Sequence, residues 1–196
     1  MQSFILSHLI VIPQEVNVDT FFEYLKWRGD LPFSKVAFND VDAAIFARLS
    51  YMPFDGIVSS EYEFMNLREA CNKAIVRSDF NYHAVNPKKD KEFLELIKKS
   101  KRFSELEITN FIYEVDETLE KQFGACIFKI ADGKYYLAYR GTDKVLIGWK
   151  EDLNMGVEFP VPAQTSFFTL SGMMKYNADR FKYIYDKLEQ QALQGW

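Results

Sequence analysis

Apolar residues recur along this chain with two periods, and the period changes near its middle. Between Asn17 or Asp19, either of which can cap a helix, and Gly29, the residues Phe21, Phe22, Tyr24 and Leu25 recur at helical spacing. A second helix is predicted after Asn39 or Asp40, with Val41, Ala44, Ile45, Arg48 and Leu49 on successive turns, ending at Pro53 and Gly56. A third covers roughly Leu67 to Val76. A fourth follows Pro87 and runs to about Lys99, with Phe93, Leu94, Leu96 and Ile97 set among lysines. The spacing then turns β-like. Phe123 to Ile130 and Tyr135 to Tyr139 are apolar, β-prone runs, and Asp132-Gly133 between them signals a hairpin whose two turn positions favour positive φ. Leu106, Ile108, Phe111 and Ile112 fit a preceding strand, while Ser104 with Glu107 fits a helix-capping box.

The hairpin runs into YRGTD (Tyr139 to Asp143), followed by GWKED (Gly148 to Asp152). A glycine at a strand exit frees the backbone from Cβ sterics and lets the next amide face a ligand. Thr142 is therefore a candidate anion donor, set against the plainer reading of a tight strand exit with a solvated threonine.

The segments YLKWRGDLPF (Tyr24 to Phe33), FNDVDAAIFARLSY (Phe38 to Tyr51), QFGACIF (Gln122 to Phe128), YLAYRGTDKVLIGWKEDLNM (Tyr136 to Met155) and VPAQ (Val161 to Gln164) keep one order over most of positions 20 to 164. In that order they resemble the lipase-like α/β-hydrolases found mostly in bacteria, many of unknown function, and more distantly the class 3 lipases. The resemblance implies an α/β fold with an incomplete hydrolase-like sheet, a β-hairpin over about 123–139 and a helical amino-terminal region. It also favours the strand for Leu106 to Ile112. It places Thr142 at an oxyanion hole, with Arg140, Gly141, Trp149 and Asp152 supporting that loop.

The remaining parts of such an enzyme are missing from the sequence. There is no GxSxG, and Ser171-Gly172 lacks the preceding glycine and apolar strand of a nucleophile elbow. The two histidines, His8 and His83, both precede the oxyanion segment, so the serine, acid, histidine order is not completed. The expectation is the amino-terminal part of a serine hydrolase acting on acyl esters, truncated and inactive alone. The alternative is a non-catalytic remnant or an interaction protein of the same fold. An ester or lipid substrate is expected only if sequence beyond Trp196 completes the site. The unpaired sheet edge would then be open to self-association.

Length and composition support one domain over residues 1–196; from about Thr165 the chain departs from the family it resembles, and 165–196 reads as a polar-aromatic, helical tail. At 196 residues and 48% hydrophobic the chain can bury a core. A net charge of −4 argues against a nucleic-acid surface, and Lys88 to Arg102 reads as the solvated face of a helix. No cofactor is expected. The close carboxylate pairs Asp40 with Asp42, Glu61 with Glu63, and Glu151 with Asp152 have no histidine at metal-ligand spacing, so no metal is expected either. Cys71 and Cys126 lie among apolar neighbours and read as buried free thiols.

WRGD (Trp27 to Asp30) reads as a helix exit and turn, with Arg28 or Asp30 tying the first helix to the core and Trp27 a packing residue in preference to a ligand platform. The opening MQSFILSHLIVIP is apolar but too short to span a bilayer and has no basic leader or cleavage site. A cytoplasmic location without a stable membrane span is expected, with secretion left open.

Overall fold

The computed structural model describes residues 19–141, 160–166 and 170. The chain divides into two compact units, Met1–Tyr113 with Gly124–Gly141, and Glu114–Phe123 with Thr142–Trp196.

In the first unit the helix signals read from the sequence become α1 (Asp19–Arg28), α2 (Asp40–Leu49), α3 (Leu67–Val76) and α5 (Pro87–Lys99). Helix α1 stops at Gly29, whose N–H donates to the Leu25 carbonyl at 3.1 Å. A Cβ at that position would sit 2.1 Å from the same oxygen, so the chain leaves the helix along a path only glycine can take. Of the two caps proposed for α2, Asn39 is the one used. Its side chain accepts from the amides of Val41 and Asp42, and the Asp42 carboxylate accepts from the Asn39 amide, which closes a capping box. The side chains of Asn66 and Asn86 cap α3 and α5, accepting from the amides of Arg68 and Glu69 and from that of Lys89, and Pro87 occupies the first turn of α5, where a missing N–H costs nothing. One turn of helix, α4 (Phe80–His83), was not anticipated, because four residues are too few to show a period. The cap suggested at Asn17, like His8 and the apolar opening, lies outside the described residues.

The strands are β1 (Met65–Asn66), β2 (Glu107–Asp116), β3 (Lys121–Ala131) and β4 (Lys134–Tyr139), in the order β1-β2-β3-β4. The strand reading of Leu106 to Ile112 is the one the fold adopts. Pairing is antiparallel, with Met65 opposite Ile108 and Phe128 opposite Tyr136. The turn differs from expectation in one respect. Gly133 takes φ +66, while Asp132 is not among the non-glycine residues at positive φ. Positive φ at the second turn position alone is the pattern of neither the I′ nor the II′ turn that matches strand twist, and the register shifts between Lys129 and Ala131.

The core lies where α2 packs against β4 and its neighbours. Phe46 on α2 stands 4.5 Å from the Phe128 ring, 5.0 Å from Tyr136 and 5.6 Å from Phe103, centroid to centroid. Helix α5 packs on α3 and α1, with Phe22 meeting Phe93 edge-on. Its lysines face outward while Phe93, Leu94 and Ile97 are buried, as the amphipathic pattern requires. Cys71 and Cys126 are free and buried. Within β2, Asn110 takes φ +48 and donates to the Ser60 carbonyl, while Thr109 donates to Glu61. An asparagine at this position lets the strand kink and hold the preceding loop.

In the second unit, Asp116 accepts from the amides of Thr118 and Leu119 in the turn between β2 and β3, and Lys121 pairs with Glu114. Residues 162–166 are helical, and Val161 and Leu170 are buried. The rest of the tail lies outside the described residues.

The fold is thus mixed helix and strand around an open, antiparallel four-stranded sheet, compatible with the broad α/β class expected from the sequence. The hydrolase-like sheet is not shown. Such a sheet is mostly parallel and needs helical crossovers between neighbouring strands, whereas β3 and β4 are joined by a hairpin. Among the described residues no helix is long and apolar enough to cross a membrane. Nothing in the described structure supports self-association through a sheet edge.

Candidate functional site

Two places in the first unit bear on function. The first is the strand exit singled out by sequence. Arg140 hydrogen-bonds through its amide to the Gly124 carbonyl at 2.8 Å, and its guanidinium lies 4.2 Å from the Tyr113 ring and 4.8 Å from Tyr51. A Cβ on Gly124 would come within 2.9 Å of Arg140 Cβ, so this glycine makes room for the arginine stem. Tyr51 donates its hydroxyl to the Gly141 carbonyl at 3.0 Å. The structure therefore joins Arg140 and Gly141 to two tyrosines that sequence spacing did not link to them. Thr142, Trp149 and Asp152 lie outside the described residues, as does Glu151.

The second place is a pocket of about 390 Å³ between the end of α1, the turn that follows and the start of α2. That volume falls in the range of small-molecule sites. Leu31, Val36 and Val41 supply apolar wall, Tyr24 and Asn39 polar wall, and Trp27, Arg28 and Asp40 complete the lining with Arg102. Trp27 was expected to be a packing residue. It is instead 74% exposed, with the Arg28 guanidinium 4.6 Å from its ring.

Arg102 is what shapes this pocket. Its Nε donates to Asp42 Oδ1 at 2.7 Å, one Nη reaches the carbonyls of Leu31 and Val36, and the other reaches Ala37 and Asp42 Oδ2. All five guanidinium N–H groups are thereby used. Its face also covers the Phe33 ring at 3.9 Å. Burial opposes its charge, but the hydrogen bonds and charge of Asp42 more than offset this, and the guanidinium is held above its ordinary value. Asp42 is closed as well. Its oxygens accept from Arg102, the Tyr24 hydroxyl and the Asn39 amide. Burial, ahead of the neighbouring charges, raises the Tyr24 hydroxyl above its ordinary value.

The tie expected of Arg28 or Asp30 is therefore made by Arg102, which sequence reading had placed on a solvated helix face. The signal that could have found it is local: Arg102 stands in SKRFS, past the last turn of α5, beside an apolar residue and two small hydroxyls. Likewise Asp42, which the sequence showed only as one of a close carboxylate pair with Asp40, closes the capping box of α2 and holds a buried cation as well.

Residues 97–181 match a family described as Mbeg1-like, a stretch covering less than half of the chain. No curated protein and no solved structure is matched. The matched family is not a lipase or α/β-hydrolase family, and the matched stretch contains YRGTD and GWKED, which are among the segments that carried the hydrolase resemblance. The reading of the chain as the amino-terminal part of a lipase-like serine hydrolase is overturned by this match. Its alternative, a remnant or interaction protein of that fold, is not supported either. The physical reason is that a hairpin leading into a glycine strand exit is local geometry, open to many folds, and specifies no chemistry without a nucleophile.

Proposed function

We propose that the first unit recognises a small organic molecule with a flat apolar body in the pocket between α1 and α2. The observation that carries this reading is Trp27. A tryptophan that could have entered the core stands instead at the mouth of a cavity of ligand size, and an indole left in water costs the fold apolar burial that a ligand would restore. The apolar wall of Leu31, Val36 and Val41 suits the body of such a ligand, and the saturated pair of Arg102 and Asp42 fixes the wall in place before binding. A pre-formed site of this kind loses little entropy on binding.

The test is a titration followed by the indole N–H resonances, with Trp27 assigned by the Trp27→Phe variant and aromatic compounds of one ring as probes. The reading predicts a saturable shift of the Trp27 resonance. A panel that leaves this resonance unmoved, or moves it in proportion to concentration without saturation, contradicts it.

A further inference from the structure

The pocket holds two formal charges that the fold leaves unspent. Arg28 and Asp40 both line it, and among the described residues neither takes part in an ion pair. The contact of Arg28 is with the Trp27 ring, and Asp40 is exposed. The other two ionised groups at this place, Arg102 and Asp42, are closed on each other and on backbone carbonyls and amides, so they offer a ligand no free donor or acceptor. One cation and one anion therefore remain, carried by different elements: Arg28 by the last turn of α1, and Asp40 by the first turn of α2. Helix dipoles account for the sign at each position. They do not account for both charges facing one cavity beside an exposed indole.

Resting on the pocket reading above, we infer that the ligand is a small zwitterion of the α-amino-acid type with an apolar side chain. Its carboxylate faces Arg28, its ammonium faces Asp40, and its side chain lies against Trp27, Val36 and Val41. A ligand with one charge satisfies one of the two groups and leaves the other with water. A zwitterion satisfies both, and charge-assisted hydrogen bonds in a partly enclosed site are stronger than neutral ones. Guanidinium suits a carboxylate because its forked donors match the two oxygens, and an ammonium suits the single acidic group opposite.

Calorimetric titration of the full chain with three compounds of one skeleton tests this: L-phenylalanine, 3-phenylpropionate, which lacks the ammonium, and phenethylamine, which lacks the carboxylate. The expected result is that phenylalanine binds at least about tenfold tighter than either, the scale of one added charge-assisted bond. Asp40→Asn should then bring phenylalanine level with 3-phenylpropionate, and Arg28→Gln should bring it level with phenethylamine. Both positions are at least partly exposed, so circular dichroism serves to confirm that the variants fold. Equal binding of the three compounds, or an unchanged preference in the two variants, overturns the zwitterion assignment and leaves the pocket reading standing. Binding by none of the three overturns both.

Discussion

Arg102 and Asp42, sixty residues apart in sequence, meet as a bidentate pair with both side chains out of solvent. Through the same guanidinium the chain at Leu31, Val36 and Ala37 is held against the start of α2. This single side chain thus sets the wall of the pocket. Removing one partner of such a pair leaves a buried charge unmatched, which typically costs about 3–5 kcal/mol. Arg102→Met should lower stability by that amount in urea unfolding. The double variant Arg102→Met with Asp42→Leu should recover part of the loss, because no charge is then stranded. If the single variant unfolds with the wild type, the pair does not hold the turn.

Gly29 offers a second test of the same region. An added methyl would stand 2.1 Å from the Leu25 carbonyl oxygen and 3.0 Å from Ser100 Oγ, and the first of these is backbone that cannot step aside. The Gly29 carbonyl also accepts from Ser100 Oγ and the Arg102 amide. Gly29→Ala should therefore cost more than about 1 kcal/mol, in the range of overpacking substitutions. Thermal unfolding checks it, and an unchanged midpoint would show that α1 can end another way.

Asn110 holds a left-handed conformation inside β2 and is tied to Ser60. Asn110→Val places a β-branched residue where φ is +48 and removes that bond, and a loss of about 2 kcal/mol or more is expected from backbone strain and the lost partner. Asn110→Gly keeps the backbone free and should cost less. The order of the two in chemical denaturation is the readout.

The thiols set a pH limit. Burial pushes the Cys71 thiol up to about 12 from an ordinary 9.0, and burial raises Cys126 further. In the folded protein both stay protonated where the unfolded chain ionises, so their contribution to stability is complete below about pH 9 and declines as pH rises toward 12. At pH 8 neither thiol should react with iodoacetamide until denaturant is added. Rapid labelling of the native protein would contradict the burial of these residues.

The fold was legible where local signals agreed. The spacing over Leu67 to Val76 and Pro87 to Lys99 matched α3 and α5, and Asp132-Gly133 marked the hairpin, because period, caps and turn residues all act within a few positions. The site was legible much less. Nothing local tells that Arg102 reaches Asp42 or that Tyr51 reaches Gly141 across ninety residues, since such contacts depend on how elements pack. Trp27 shows the same limit from the other side. Its aromatic character pointed to burial, and only the assembled surface places it in solvent.

The central claim is that the pocket beside Trp27 takes a small ligand. Intermolecular nuclear Overhauser contacts between the ring protons of bound L-phenylalanine and the protein test it most directly. The account predicts contacts to the Trp27 indole and to the methyl groups of Val36 and Val41. Contacts confined to other exposed apolar residues, such as Val76 or Leu119, would contradict it.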